Sequence, residues 1–348
     1  MAVLALEAVA SATGGVLVSA DPASKVARYA LDSRQVAGGE LFFALVGEHN
    51  DGHRFLENVF ARGAAAAVVS AKVPTGQPVV RVADTTQALR TLARTVRENW
   101  QGTVVGVTGS CGKTTSKEML RLAVAGSRRV LSTRGNLNNL YGLPLTLLEV
   151  LPEHEVAVLE MGISTPGEMT ELAGIARPDV MVMLNVAAVH LVHFDSVQAI
   201  AAAKGEALEV MGPRGTFVYN RDDAHLVQLA AGFGGPTLSF GLDPLAAVRA
   251  DSIETGHPDR LTAQVHADGE SAQLELPVGG RYNLMNALAA VAGAHAIGVP
   301  LAVAATRLAA FEPPPQRGVR LALAGGVTLW DESYNSNPVA VRAVLSAL

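Results

Sequence analysis

Short apolar runs separated by polar turns dominate the first part of the chain. Leu41–Val46 and Ala65–Val69 are uninterrupted apolar runs, with a polar loop rich in Gly, Asp and His between them. Runs of this length bounded by turn residues are typical of buried strands. The apolar segment Met1–Glu7 is predicted to form the first helix. We therefore predict a small α/β domain over residues 1–98.

After this region the pattern changes to strands that alternate with helices. Such alternation predicts a parallel sheet with helical crossovers, and we assign it to a central domain over residues 99–313. The candidate helices follow Lys113, Thr165 and Ser196. The candidate strands are Thr103–Val107, Val156–Glu160, Val180–Asn185 and Gly215–Tyr219.

The last part of the chain is more varied. Asp251–Leu276 alternates apolar and polar residues, which predicts antiparallel strands, and Asn283–His295 is apolar on all sides, which predicts a buried helix. Glu312–Gln316 is a proline-rich, stiff linker, followed by a predicted strand at Val327–Trp330. We expect residues 314–348 to be only the start of a truncated third domain.

Composition excludes several classes of protein. Hydrophobic residues make up 49% and charged residues 17%, which is typical of a globular chain. The net charge of −5 gives no reason to expect a nucleic-acid partner. A single cysteine, Cys111, excludes an internal disulfide and fits a reducing compartment. No apolar stretch approaches the ~20 residues that a membrane helix needs, so we expect a cytoplasmic monomer without membrane insertion.

A glycine-rich loop, Gly106-Val-Thr-Gly-Ser-Cys-Gly-Lys113-Thr114-Thr115, follows a predicted strand and precedes a predicted helix. Backbone N–H groups and a helix N-terminus can surround phosphate oxygens in this order of elements. Lys113 would neutralise the terminal phosphates of ATP, and the Thr114 hydroxyl would bind Mg²⁺. The strict pattern needs glycine where this chain has Val107, so a tight turn that only caps a helix stays open as an alternative. The predicted ATP contacts from the loop are Thr108, Gly109, Ser110, Cys111, Gly112, Lys113, Thr114 and Thr115.

Glu160 and His190 follow two other predicted parallel strands. Ligands bind beyond the carboxyl ends of such strands, which is also where the phosphate loop lies. The Glu160 carboxylate is a hard oxygen ligand suited to Mg²⁺, and His190 is a second candidate ligand. An ordinary surface carboxylate and a structural histidine are the alternatives.

Lys204 lies on the apolar face of a predicted helix. It shares the spacing of three and four residues with the apolar positions of that helix, so it is predicted to face inward. An inward lysine is costly unless it is paired or functional, and burial favours its neutral, nucleophilic amine. Carbamylation would convert it into an anionic metal ligand. The alternative is a lysine that extends its ammonium group to solvent. The apolar positions are Val197, Ile200, Ala201, Leu208 and Met211.

Four segments together resemble the Mur ligases: Gly106–Thr115, Glu160–Glu168, Asn185–His190 and Phe194–Glu206. The resemblance covers essentially the whole chain. It implies an N-terminal UDP-binding domain, a central ATPase-like domain with a parallel sheet, and a third, Rossmann-like domain. It also implies an ADP-forming ligase that uses ATP and Mg²⁺.

Within that family, Asn136–Thr146, Lys204–Glu206 and Asp331–Pro338 resemble one branch. This branch joins D-alanyl-D-alanine to UDP-N-acetylmuramoyl-tripeptide through an acyl phosphate, in the synthesis of peptidoglycan precursors. Two alternatives stay open. One is another amide ligase of the Mur or folylpolyglutamate type, and the other is a nucleotide-binding module that is inactive without its third domain.

The resemblance implies roles for individual residues around ATP. Thr114 and Glu160 would hold one Mg²⁺, and Glu160, His190 and carbamylated Lys204 would hold a second. Lys113 would bridge the terminal phosphates. Further ATP contacts would come from Asn283, Asn286, Arg317 and Asp331.

The resemblance also implies substrate contacts. Ser33, Arg34 and Asp51 would bind the uridine diphosphate group, and Asn138 and Asn139 would line the muramoyl-peptide channel.

Two positions depart from the family pattern. Tyr282 stands where the family usually has a histidine, and Glu332 stands where an aspartate usually precedes Ser-Tyr-Asn. Either Asp331 or Glu332 could therefore take the acidic role.

Overall fold

The computed structural model describes residues 2–73, 76–189, 194–257 and 259–347. The strands, in chain order, are Leu4–Ala5 (β1), Val16–Val18 (β2), Lys25–Val26 (β3), Arg28–Ala30 (β4), Glu40–Phe43 (β5), Ala66–Val69 (β6), Val79–Arg81 (β7), Thr103–Thr108 (β8), Val130–Ser132 (β9), Val156–Glu160 (β10), Val180–Met183 (β11), Thr216–Asn220 (β12), Thr237–Gly241 (β13), Val248–His257 (β14), Arg260–Ala267 (β15), Glu270–Leu276 (β16), Val319–Ala322 (β17) and Thr328–Asp331 (β18). The α-helices are Leu6–Thr13 (α1), Leu56–Ala61 (α2), Thr85–Asn99 (α3), Lys113–Val124 (α4), Gly142–Leu148 (α5), Glu168–Ala176 (α6), Val197–Met211 (α7), Ala224–Gly232 (α8), Arg281–Ala296 (α9), Leu301–Arg307 (α10) and Pro338–Leu345 (α11).

The chain divides into two compact units. The first comprises residues 1–102, 137–154 and 174–176, and the second comprises residues 103–136, 155–173 and 177–348. The N-terminal unit thus includes a later segment that contains α5.

A five-stranded sheet in the order β2-β7-β6-β5-β4 forms the centre of the first unit. The neighbours from β4 to β7 are parallel, and β2 pairs antiparallel with β7 at the edge. The run Leu41–Phe43 is fully buried in β5, as its apolar pattern predicted. Helix α3 buries Leu89, Leu92 and Val96, which recur at helical spacing, and it contacts α1 and α5.

A nine-stranded sheet in the order β16-β15-β14-β13-β12-β11-β8-β10-β9 forms the centre of the second unit. The strands from β9 to β14 pair in parallel, whereas β14, β15 and β16 pair antiparallel. The predicted fold class, a small α/β domain followed by a parallel-sheet domain, is therefore confirmed. The alternating segment Asp251–Leu276 is confirmed as antiparallel strands.

Helix α9 is confirmed as the predicted buried helix. Its residues from Ala287 to Ala292 are all inaccessible to solvent, which explains why it shows no polar face. It packs on α4, and a Cβ at Gly293 would lie 3.1 Å from Val182 and 3.2 Å from Leu120. Glycine at this position lets α9 approach both the sheet and α4.

Some predicted boundaries differ from the structure. Met1–Glu7 is not a helix throughout, because Leu4–Ala5 pairs with Lys25–Val26 as a strand and α1 begins only at Leu6. Strand β11 ends at Met183, two residues before the predicted end at Asn185. In the ranges that the structure describes, no helix combines the length and apolar character needed to cross a bilayer.

Candidate functional site

The phosphate loop connects β8 directly to α4. Gly112 caps α4 with a φ of 84°, and a Cβ there would lie 2.3 Å from Asn286 Oδ1. Both observations require glycine at this position. Gly106 lies within β8 and not in the loop. A Cβ at Gly106 would lie 2.8 Å from the sulfur of Met181 and 2.9 Å from the sulfur of Met161. The loop proper therefore runs from Gly109 to Gly112.

Asn185 holds the loop from the neighbouring strand end. Its Oδ1 accepts a hydrogen bond from Cys111 N at 2.9 Å, and its Nδ2 donates to Cys111 O at 3.1 Å. Its main-chain oxygen accepts from Ser110 N at 3.0 Å. Ser110 Oγ also accepts from Ala187 N at 2.9 Å. Sequence reasoning included Asn185 in a motif but missed this role, although a polar residue directly after an apolar strand was the available signal.

Lys113 begins α4 and turns its ammonium group back toward the loop. Its Nζ donates a hydrogen bond to Gly109 O at 2.8 Å. Burial lowers the pKa of Lys113, while the negative charge of Glu160 opposes this shift and Arg317 adds to it. Glu160 and Arg317 are therefore each close enough to act on the charge of Lys113.

Glu160 and Thr114 are the two predicted Mg²⁺ ligands with oxygen donors in the described residues, and both lie at the carboxyl end of the central strands. Glu160 is the last residue of β10, is 1% exposed, and lies opposite Val107 of β8 in a parallel ladder. Thr114 lies in the first turn of α4 and is 5% exposed. Thr108 Oγ1 donates to Met161 O at 2.8 Å, which joins the two strand ends. A buried carboxylate and a buried hydroxyl are oxygen donors of the kind that fits Mg²⁺.

Lys204 is buried, as its position on the apolar face of α7 predicted. Only 3% of the residue is exposed, so the alternative of an ammonium group extended to solvent is wrong. Burial, together with the smaller effect of the positive charge of Lys113, lowers the pKa of Lys204 to about 7, and Cys111 opposes the shift. Lys204 therefore lies in the same electrostatic environment as the phosphate loop.

Glu206, two residues further along α7, connects this helix to the start of α6. Its carboxylate accepts hydrogen bonds from Gly167 N at 2.9 Å and from Thr170 N at 3.0 Å. Thr170 Oγ1 donates to the same carboxylate at 3.0 Å. The segment after Glu160 and the helix that carries Lys204 are thereby fixed to each other.

His190 lies outside the described residues, so its predicted place in the site stays a prediction. Within the described ranges, no group of three or more His, Cys, Asp or Glu side chains could hold a metal ion. The described part of the predicted metal site thus consists of Thr114, Glu160 and Lys204.

A cavity of about 110 Å³ lies beside α4 and the β17–β18 hairpin. Asn283 lines this cavity, and its Nδ2 donates to Gly279 O at 2.8 Å. Asn286 is also buried but is not among the residues that line the cavity, and its Oδ1 accepts a hydrogen bond from Ser116 Oγ at 3.1 Å. The two asparagines therefore have different surroundings. The cavity is lined by Thr115, Asp259, Pro277, Val278, Asn283, Phe311, Pro313, Arg317, Gly318, Arg320 and Trp330.

The two adjacent acids Asp331 and Glu332 differ in what they contact. Asp331 accepts hydrogen bonds from Ser333 N at 3.0 Å and Ser333 Oγ at 2.6 Å, and the Ser333 hydroxyl lowers its pKa. Burial raises the pKa of Glu332, and the charge of Arg317 opposes that shift. Arg317 also stacks over the Tyr334 ring at 3.8 Å. Glu332 is thus the acid that interacts with a cavity residue.

The predicted uridine diphosphate contacts lie in the first unit and are engaged in local hydrogen bonds. Arg34, in the turn that begins at Ser33, donates from Nε and Nη2 to Asp32 at 3.0 Å and 2.8 Å. The Asp51 carboxylate accepts from His53 N at 3.0 Å and contacts His53 Nδ1 at 2.6 Å. Both pairs join residues two positions apart and stabilise tight turns.

The predicted channel residues Asn138 and Asn139 precede α5 in the same unit. Asn139 Oδ1 accepts from Tyr141 N at 3.1 Å and Gly142 N at 2.9 Å. It therefore caps the start of α5.

Comparisons with known proteins identify the family. The model of the Mur ligase middle domain matches residues 107–294, and that of the Mur ligase family, catalytic domain, matches residues 25–97. The UDP-N-acetylmuramoyl-tripeptide–D-alanyl-D-alanine ligase of Escherichia coli K12 is 35% identical over 91% of this chain and 70% of its own length.

Solved structures agree with these matches. MurF from Acinetobacter baumannii has a TM-score of 0.92 and 34% identity, covering 99% of this chain and 76% of that one. MurF ligase from Thermotoga maritima, in complex with ADP, has a TM-score of 0.82 and 32% identity, covering 92% of this chain and 74% of that one. With this identity and coverage, the chain belongs to the Mur ligase family.

Proposed function

We propose that the chain is an ATP-dependent ligase that joins D-alanyl-D-alanine to UDP-N-acetylmuramoyl-tripeptide and releases ADP and phosphate. One observation carries the proposal. The phosphate loop, the buried Glu160 and the buried Lys204 lie close together at one edge of the sheet. This supports the activity named for the E. coli relative, the UDP-N-acetylmuramoyl-tripeptide–D-alanyl-D-alanine ligase that is 35% identical to this chain.

The ATP phosphates would lie in the loop from Gly109 to Gly112, where the N-terminus of α4 favours negative charge. Lys113, whose Nζ donates to Gly109 O at 2.8 Å, would exchange that bond for the terminal phosphates. The adenosine part would occupy the cavity beside Asn283, with Arg317 at its edge. The ADP complex of the T. maritima relative supports nucleotide binding on this fold.

Mg²⁺ would be held by Thr114 and Glu160, whose buried oxygens fit a hard cation. We further propose that Glu160, His190 and carbamylated Lys204 hold a second Mg²⁺. The neutral amine of Lys204 would form a bond to CO₂ with loss of one proton, which would give an anionic ligand in place of a lysine whose charged form is costly to bury. Bound Mg²⁺ would offset the negative charge of the phosphates.

The reaction needs positioning and charge more than a nucleophilic side chain. The terminal carboxylate of the tripeptide attacks the γ-phosphorus of ATP, which gives an acyl phosphate and ADP. The dipeptide amine then attacks the acyl carbon, loses a proton and expels phosphate. Lys113 would stabilise the negative charge on the transferred phosphoryl group.

For the UDP-substrate, we propose contacts to Ser33, Arg34 and Asp51 and to Asn138 and Asn139. The local bonds of Arg34 to Asp32 and of Asp51 to His53 would preorganise these turns for a diphosphate. We also propose that the protein works in the cytoplasm and that it is a monomer. Light scattering on the purified chain would test the monomeric state.

Phosphate release tests the proposal. We expect release only when ATP, UDP-N-acetylmuramoyl-tripeptide and D-alanyl-D-alanine are all present, with the ligated product seen by mass spectrometry. Release with D-glutamate or a diamino acid in place of the dipeptide would indicate a different Mur-type ligase. Binding of ATP and UDP-substrate without turnover at saturating dipeptide would indicate a nucleotide-binding module.

A further inference from the structure

Lys117 is a second buried lysine of α4, and the proposed reaction gives it no role. It lies one turn after Lys113, and its side chain is fully inaccessible to solvent. A buried ammonium group is costly unless charged or polar partners satisfy it. Its Nζ donates to Thr133 O at 2.6 Å and pairs with the Glu118 carboxylate, which Arg121 also contacts. The lysine therefore pairs with one buried carbonyl oxygen and one partly exposed carboxylate.

Thr133 connects this lysine to the end of β10. It follows β9, is 0% exposed, and continues the parallel ladder by donating its N–H to Val158 O at 3.1 Å. Its side-chain Oγ1 accepts a hydrogen bond from Glu160 N at 3.0 Å. One residue thus receives Lys117 on its carbonyl oxygen and Glu160 on its hydroxyl.

The two ends of this connection belong to the elements that carry the candidate metal ligands. Thr114 lies on α4 one turn before Lys117, and Glu160 ends β10. The hydrogen bonds from Lys117 to Thr133 and from Glu160 to Thr133 are buried. Such bonds fix geometry because water does not compete for their partners.

We propose that Thr133 and Lys117 are positioning residues that hold Glu160 in place for divalent-cation binding. The inference rests on the proposed function only in assigning the cation to Thr114 and Glu160. Groups that orient metal ligands affect metal affinity without touching the ion, typically by ~10–100-fold. Loss of the Thr133 hydroxyl should therefore weaken cation binding more than it weakens the fold.

Thr133→Val removes the hydroxyl while keeping nearly the same shape, and Thr133→Ser keeps the hydroxyl. Mn²⁺ binding in the presence of ADP, measured by the electron paramagnetic resonance signal of free Mn²⁺, reports on the site without any turnover. We expect Thr133→Val to weaken Mn²⁺ binding about 10-fold, and Thr133→Ser to restore most of the affinity. Equal Mn²⁺ affinity in Thr133→Val and the unaltered protein would overturn the proposal.

Thr85→Val is the matched control, because Thr85 is 2% exposed and its Oγ1 donates to Ala44 O at 3.0 Å. It should lower the melting temperature without changing Mn²⁺ affinity. A similar loss of Mn²⁺ affinity in this control would assign the effect to general destabilisation and refute a positioning role.

Lys117→Met provides a second probe if Thr133→Val does not fold. It removes the donor to Thr133 O, and we expect weaker Mn²⁺ binding together with a higher Mg²⁺ requirement for any turnover. Unchanged Mn²⁺ affinity in Lys117→Met would exclude the lysine from the positioning network. Failure of the unaltered protein to ligate would count against the proposed function alone, since the Mn²⁺ measurement requires no ligation.

Discussion

Two polar side chains of the phosphate-loop site are buried, whereas two of the predicted substrate residues in the first unit are exposed to solvent. In the site, Glu160 and Lys204 are 1% and 3% exposed, and burial lowers the pKa of Lys204 to about 7. In the first unit, the Arg34 side chain is 88% exposed and bonds to Asp32 two residues away. Asn139 is likewise exposed, and its side chain accepts a hydrogen bond from Gly142 N at the start of α5.

The difference concerns what each group costs the fold. An unpaired buried lysine lowers the stability of the fold, so its presence in a core points to a functional role. An exposed arginine paired with a neighbouring aspartate costs little and stabilises little. We therefore expect substitutions in the site to affect catalysis strongly, and substitutions in the first unit to separate into binding effects and stability effects.

Lys113→Met should have the largest effect. It removes the cation that faces both the loop and Glu160, so we expect ligation to fall about 10³-fold. Phosphate release under saturating substrates measures the change. Lys72→Met, at an exposed position of the first unit, is the control and should keep full activity. Equal activity of Lys113→Met and Lys72→Met would contradict the expectation that substitutions in the phosphate-loop site affect catalysis more strongly than substitutions in the first unit.

Lys204→Met should reduce activity and increase stability. We expect ligation to fall about 10²-fold, as for loss of a metal ligand or its orientation. The pKa of Lys204 is about 7 in the folded protein, and it returns to the ordinary lysine value of 10.5 when the chain unfolds. The unfolded chain therefore binds more protons between these values, and this lysine makes stability rise with pH through that window. In CO₂-free buffer, Lys204→Met should melt higher at pH 7 and should lose this part of the slope.

Rescue tests the carbamate separately. Short carboxylic acids should restore part of the activity of Lys204→Ala if an anion is needed at that position. A Lys204→Ala variant as active as the unaltered protein would exclude the carbamate from the mechanism.

Pattern alone predicted much of the second unit. The alternation of strands and helices predicted the parallel sheet, and the position of Lys204 on an apolar face predicted its burial. These features follow from local periodicity, which the chain shows directly. The contacts that organise the site do not follow from local periodicity, because they join residues far apart in the sequence. Asn185 and Cys111 are 74 residues apart, and Glu160 and Thr133 are 27 residues apart.

The first unit was harder to predict for a physical reason. Leu4–Ala5 is apolar enough for a helix, yet it pairs with Lys25–Val26, and tertiary pairing overrides local preference. Asn139, a predicted substrate contact, uses its side chain in the structure to accept hydrogen bonds from nearby backbone N–H groups. Sequence could not separate these roles, since both use the same polar residue type in a loop.

Glu206→Gln should have a moderate effect in the site. Glutamine keeps the shape but weakens the charge-assisted bonds to Gly167 N and Thr170 N, so α7 and the start of α6 should be less firmly joined. We expect kcat to fall about 10-fold, with a smaller change in the KM for ATP. The exposed Glu209 of the same helix serves as control in a Glu209→Gln variant. A higher KM for ATP with unchanged kcat would indicate that Glu206 acts on nucleotide binding.

Asn139→Ala should act on stability first. It removes the side chain that caps α5, which costs about 1 kcal/mol in comparable caps. Chemical denaturation measures this loss. If the free energy of unfolding is unchanged while KM for the UDP-substrate rises, the cap is not the main role of Asn139.

Arg34→Ala should have the smallest effect on the fold and a specific effect on binding. Its side chain is 88% exposed, so the melting temperature should stay unchanged. If Arg34 contacts the diphosphate, the KM for the UDP-substrate should rise about 3- to 10-fold, with kcat unaltered, because a lost contact to a non-reacting group removes uniform binding. Arg81→Ala, at another exposed arginine of the first unit, should change neither quantity. An Arg34→Ala variant with unchanged KM would leave Arg34 as a turn residue, and the first unit would then bind its substrate through other groups.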